Sequence, residues 1–87
     1  MKKYKLNKGF IVQKIDNKIT IFDSEKSMLF TFNQTASFVF NKIKQGWDKE
    51  KVIDELVKKY QIKKEKAEKD VWEFVGELVK KGIIKPF

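Results

Sequence analysis

The chain has 87 residues, 41% of them hydrophobic and 37% charged, and carries a formal net charge of +8 from twenty basic and twelve acidic residues. It contains no cysteine and no histidine, which excludes disulfides, Cys/His zinc sites, histidine-ligated haem and every Ser-His or Cys-His catalytic pair. No apolar run approaches the roughly 18 residues of a membrane span, and the basic start Met1-Lys2-Lys3-Tyr4-Lys5 leads into no secretory apolar stretch, so one cytoplasmic domain over residues 1–87 is expected, without a membrane partner.

The first third alternates as strands do. Phe10-Ile11-Val12-Gln13-Lys14-Ile15 is followed by Asp16-Asn17, two residues that tolerate left-handed backbone and suit a tight hairpin. Lys18-Ile19-Thr20-Ile21-Phe22-Asp23 comes next, then the polar turn Ser24-Glu25-Lys26, then the apolar and β-branched run Ser27-Met28-Leu29-Phe30-Thr31-Phe32. The spacing predicts a three-stranded antiparallel meander. Period two places Ile11, Gln13 and Ile15 on one face of the first strand, and Met28, Phe30 and Phe32 on one face of the third. Phe10, Val12, Phe22 and Leu29 occupy the other faces, to be covered in part by the termini or by something outside this chain.

The remainder reads as helix. Asn33 is a good N-cap; Ala36, Val39, Phe40 and Ile43 follow at helical spacing, and Gly46 suits a left-handed stop. A second helix opens at Asp48, with Trp47 and Val52 placed as a hydrophobic staple and Ile53, Leu56, Val57 and Tyr60 as its buried stripe. After Gln61-Ile62-Lys63, a third helix runs from about Lys64 to Lys81 and stops at Gly82, with Ala67, Val71, Phe74, Val75 and Leu78 as its stripe. The tail Ile83-Ile84-Lys85-Pro86-Phe87 is apolar enough to dock. The expected fold is α+β, three strands followed by three helices (βββααα), similar to a winged helix-turn-helix unit with its sheet in front.

Catalysis has little to stand on. Asp70, Glu73 and Glu77 lie at helical spacing among lysines, as a solvated face does, whereas acid/base work needs a partly buried carboxyl. Gly9, Gly46, Gly76 and Gly82 are isolated and form no phosphate loop. No enzyme activity, metal or cofactor is expected.

Two features suggest a binding surface. Ser27 to Phe32 carries no charge or proline, the usual blocks on an edge strand, so it is an open docking edge unless it is internal to the sheet or covered by a terminus. On a helical wheel Trp72, Gly76 and Val79 flank the core stripe of the third helix; they form either a shallow groove for a second backbone or a cap on the core with relief of helix crowding.

Several motifs are similar to those of the PqqD-like family. Phe32-Asn33-Gln34-Thr35-Ala36 resembles its "leucine, asparagine, x, threonine, alanine" signature. Gly46-Trp47-Asp48 with Val52-Ile53-Asp54-Glu55-Leu56 resembles its glycine and second helix, Asp70-Val71-Trp72-Glu73-Phe74 its third helix, and Gly82-Ile83-Ile84 its apolar ending. The chain departs in having Phe32 for leucine, and lysines where the third helix usually has a cap. The resemblance covers residues 10–84 and implies a recognition element for ribosomally made, modified peptides (RiPPs). In that family a leader peptide adds as a strand beside the third strand and lies against the third helix. By position Ser27, Met28, Leu29, Phe30, Thr31 and Phe32 would give the ladder. Trp72, Gly76 and Val79 would give pockets, and Lys69 and Lys80 would attract an acidic leader. Implied partners are the precursor peptide and a separate leader peptidase, cyclase or radical-SAM enzyme, as for the free-standing proteins of lasso-peptide and pyrroloquinoline-quinone synthesis.

Two other readings compete. A winged-helix DNA binder would rest on the paired helices and the charge, but every basic residue is lysine and none is the arginine that grips bases and phosphates as a fork. A structural adaptor would instead pair its open strand with that of a twin chain.

Overall fold

Two left-handed residues set the front sheet: Asp16 at φ 58° turns the first hairpin and Ser27 at φ 52° ends the second turn. The structure, a computed structural model, describes residues 3–87, so Met1 and Lys2 of the basic start lie outside the described residues. Chain order is β1 (Tyr4–Leu6), β2 (Phe10–Ile15), β3 (Lys18–Asp23), β4 (Met28–Thr31), α1 (Gln34–Lys44), α2 (Lys49–Tyr60), α3 (Lys64–Lys80) and β5 (Ile84–Pro86). The meander β2-β3-β4 is present, with Ile11 opposite Phe22 and Phe22 opposite Leu29.

The expected three-strand count is corrected. A second sheet pairs β1 with β5, Lys5 opposite Lys85, and seals Tyr4 and Ile84 into the core. Tyr4-Lys5-Leu6 is too short for alternation to reveal, and its partner lies at the far end of the sequence. The apolar tail thus docks by strand pairing, further tied by the Asn7 side-chain amide donating to the Gly82 carbonyl at 2.7 Å.

The faces of the meander are also resolved. Phe10, Val12, Ile19, Ile21 and Phe30 turn inward, while Ile11, Phe22 and Leu29 form an exposed apolar row across all three strands. Among the described residues the terminal strands leave that row exposed; they turn their own Tyr4 and Ile84 into the core instead.

The helices begin and end for local reasons. The Asn33 side chain accepts from the Ala36 amide at 2.8 Å, and Asp48 accepts from the Lys51 amide at 2.9 Å. Each satisfies one of the unpaired donors of a helix start. Lys63 makes no side-chain cap, as its chemistry requires. α1 and α3 both close with a left-handed glycine. Trp47 N–H donates to the Lys42 carbonyl and Ile83 N–H to the Leu78 carbonyl, the six-to-one bond of a Schellman ending. Val52, Ile53 and Leu56 of α2 and Ala67, Val71, Val75 and Leu78 of α3 fill the core against Phe40 and Ile43.

Candidate functional site

β4 is paired on one side only, since the sheet order is β2-β3-β4. Which of its groups point outward follows from one bond. Phe32 N–H donates to the Ile19 carbonyl at 2.9 Å, and in the same register Phe30 faces Ile21 and Met28 faces Asp23. Antiparallel pairs alternate between bonded and non-bonded types. The N–H and C=O groups of Met28, Phe30 and Phe32 therefore turn toward β3, and those of Leu29 and Thr31 point off the open edge. Among the described residues no backbone bond from another element reaches these four groups.

The helix beside this edge is α3, identified by ring contacts. The Phe74 ring meets Phe32 edge-on at 5.1 Å between centroids, and the Lys81 ammonium stands 6.0 Å over Phe30. Just past the end of β4, between the start of α1, the end of α2 and this flank of α3, lies a groove of about 540 Å³ that begins at Asn33. Its floor is apolar, from Ala36, Val39, Leu56, Ile62 and Phe74. Its α3 rim carries Asp70, Glu73 and Glu77 against a single lysine, Lys66. Lys66 pairs with Asp70 and Lys81 with Glu77, both at 3.3 Å; Glu73 is in neither pair.

The sequence-predicted residues fall into two groups. Met28, Leu29, Phe30 and Thr31 form the open strand. Ser27 is instead a left-handed turn residue, and Phe32 lies past the strand end, half-buried with its amide already bonded to Ile19. The ladder available to a guest is thus shorter than six residues and centres on Leu29 and Thr31.

Trp72, Gly76 and Val79 are not brought to the edge. Trp72 lies two residues before Phe74, about 160° around the helix, and its ring sits 4.2 Å under the Lys49 ammonium at the start of α2. Those three residues therefore occupy the flank away from β4. Nor does Gly76 relieve crowding, because a Cβ there would meet nothing within 4 Å. Lys69 and Lys80 are exposed and do not line the groove.

What sequence reasoning missed is the opposite flank: Phe74, assigned to the core, and Asp70, Glu73 and Glu77, assigned to solvent. Phe74 is half-buried, and its place at the margin of the apolar stripe was the one available signal. These carboxylates along α3 are also the opposite of what a DNA-reading helix would present.

Comparison with known proteins agrees with this architecture. No curated protein matches the chain closely enough to count as a relative. Among solved structures, one described as "Lasso peptide synthetase B1 complexed with the leader peptide" is similar in fold, with a TM-score of 0.88, 21% identity, and 97% of this chain and 99% of that chain covered. Another, "TbiB1 in Complex with the TbiA(beta) Leader Peptide", gives a TM-score of 0.85 at 17% identity, covering 93% of this chain and 94% of that one. The sequence profile described as "Coenzyme PQQ synthesis protein D (PqqD)" matches residues 18–84, from β3 to the start of β5, and with most of the chain so matched the protein belongs to the PqqD family.

Proposed function

We propose that this protein is a non-catalytic recognition element that binds the leader segment of a ribosomally made precursor peptide as an added strand on β4. In this reading it presents the bound peptide to a separate modifying enzyme or leader peptidase in the cytoplasm. The observation that carries the reading is the open edge at Leu29 and Thr31, uncharged and flanked by an apolar groove. The two structures of like fold are, by their own descriptions, leader-peptide complexes.

Magnitudes say what the site must supply. Four backbone bonds at Leu29 and Thr31 contribute about 0.5–1.5 kcal/mol each, which roughly offsets an association cost of about 4 kcal/mol. Micromolar affinity needs about −8 kcal/mol. The difference corresponds to burying about 300 Å² of apolar surface, guest and protein together, at about 25 cal/mol per Å². Val39 and Leu56 are already buried, so the protein's share falls to half-buried Phe74 in the groove and to exposed Leu29 on the strand. The edge sets where the guest lies; the apolar contacts beside it supply most of the affinity.

The test uses the leader segment of a candidate precursor peptide. Leu29→Pro removes an outward donor without touching the bonds to β3. Titration calorimetry is expected to show at least about a tenfold loss, one backbone bond plus the strand distortion around it, with circular dichroism unchanged. Wild-type affinity in a folded Leu29→Pro protein would remove the strand-addition reading.

A further inference from the structure

The groove leaves the positive charge unexplained. Of the three carboxylates on its α3 rim, Asp70 and Glu77 are paired with Lys66 and Lys81 and Glu73 is in neither pair, so the rim offers an acidic guest no uncommitted cation. The excess of the chain's +8 lies elsewhere on the surface.

Three lysines gather at one place without acidic neighbours. Between the β2–β3 hairpin, α1 and the end of α2 lies a pocket of about 280 Å³ lined by Lys14, Lys42 and Lys59, with the side-chain amides of Asn17, Gln34 and Asn41. No carboxylate lines it. Two of the lysines are held in a way that keeps their charge available. Lys42 stands 4.6 Å over the Trp47 ring and 5.5 Å over Phe38, and Lys59 stands 5.1 Å over Phe38. A ring restrains an ammonium without neutralising it, whereas Lys66 and Lys81 are already matched by Asp70 and Glu77. The first turn of α1, which supplies Gln34, carries no acidic residue that would cancel its helix-start dipole. Tyr60 lines this pocket and also the groove, so one side chain forms the wall between them.

We infer that the Lys14–Lys42–Lys59 pocket binds an acidic segment, two or three Asp or Glu side chains, of the same guest peptide whose other part pairs with β4. The inference rests on the peptide-recognition reading above and divides that recognition in two. The apolar groove and strand edge take an uncharged or basic stretch; across Tyr60, the lysines take the carboxylates. Long-range attraction to the pocket also speeds encounter and is screened within about 10 Å at 0.1 M salt.

The experiment separates the two halves. A capped hexapeptide of alternating glutamate and aspartate is titrated into the ¹⁵N-labelled protein, in parallel with inorganic phosphate. Amide shifts are expected at Asn17, Gln34, Ser37, Asn41 and Lys42, with Leu29 and Thr31 unmoved. Lys42→Gln and Lys59→Gln are each expected to weaken binding about threefold, and together about tenfold. Lys69→Gln with Lys80→Gln, which removes the same charge elsewhere, is expected to change it less than twofold. Leu29→Pro is expected to leave hexapeptide binding intact, so a failure of strand addition would not mimic a failure of the pocket. Equal losses from the two lysine pairs would reduce the effect to net charge and overturn the proposal. So would phosphate binding as tightly as the hexapeptide, which would make the pocket a simple anion site, and so would the absence of shifts around α1.

Discussion

At Ser37 a single hydroxyl stands in for a rung of the sheet. Its Oγ accepts from the Ile19 amide at 2.8 Å and donates to the Phe32 carbonyl at 3.3 Å, while Phe32 N–H still reaches Ile19 directly. The hydroxyl is therefore wedged where β3 and β4 begin to part, and it joins α1 to both strands. Ser37 is buried, so truncation would leave a donor and an acceptor without partners away from water. Ser37→Ala is expected to cost about 1–3 kcal/mol, read as a fall in denaturation midpoint at unchanged slope. The sequence concealed this residue. Ala36 was the expected inward position, because apolar periodicity counts carbon and has no way to score a serine whose role is to replace a backbone bond.

At the scale of the element, α3 has two flanks with different company. One carries Phe74, against Phe32, and borders the open edge; the other carries Trp72, against Lys49. If the guest lies on the first, Phe74→Ala is expected to weaken leader-peptide binding about tenfold, as loss of a central apolar anchor does. Trp72→Ala, at an exposed ring on the far flank, is expected to leave affinity within about twofold. Fluorescence anisotropy on both variants, below the unfolding transition of the less stable Phe74→Ala, decides between the flanks, and the reverse ranking would move the site to the Trp72 side. A wheel drawn from sequence shows both flanks as equal neighbours of the core stripe. Nothing local says which one meets β4, because the rotation of α3 is fixed by what Val71, Val75 and Leu78 pack against.

For the whole molecule, the two sheets have separate duties. The β1–β5 ribbon closes the chain on itself, holding Ile84 and Tyr4 in the core; the β2–β3–β4 meander holds the open edge. Removing residues 84–87 exposes the pocket that Ile84 fills and unpairs β1. The expected loss is about 2–3 kcal/mol from burial alone, or roughly 10–20 °C in melting temperature for a chain of this size. Peptide affinity measured well below that lower transition is expected to stay near wild type, because the ribbon makes no bond to Leu29 or Thr31. A large affinity loss in the folded truncation would mean that the ribbon shapes the groove after all.

Whatever is local in this fold can be read from neighbouring residues alone. Asp16-Asn17 and the caps Asn33 and Asp48 placed the turns and helix starts, Gly46 and Gly82 placed two ends, and the uncharged run before Asn33 marked the strand that stays open. Each of these is settled within one turn of backbone, by φ preference, a side-chain oxygen or a two-residue period. The family motifs were legible for the same reason, since Phe32–Ala36, Gly46–Asp48 and Gly82–Ile84 sit at those junctions and the others follow the helical period of α2 and α3. The rest follows from long-range packing: a three-residue strand at the start finds its partner at the end, Phe74 rather than Trp72 faces β4, and the carboxylates line the groove while three lysines gather beyond Tyr60. Those facts depend on contacts between residues far apart in the chain, and a helix can turn about its own axis without altering any local pattern in its sequence.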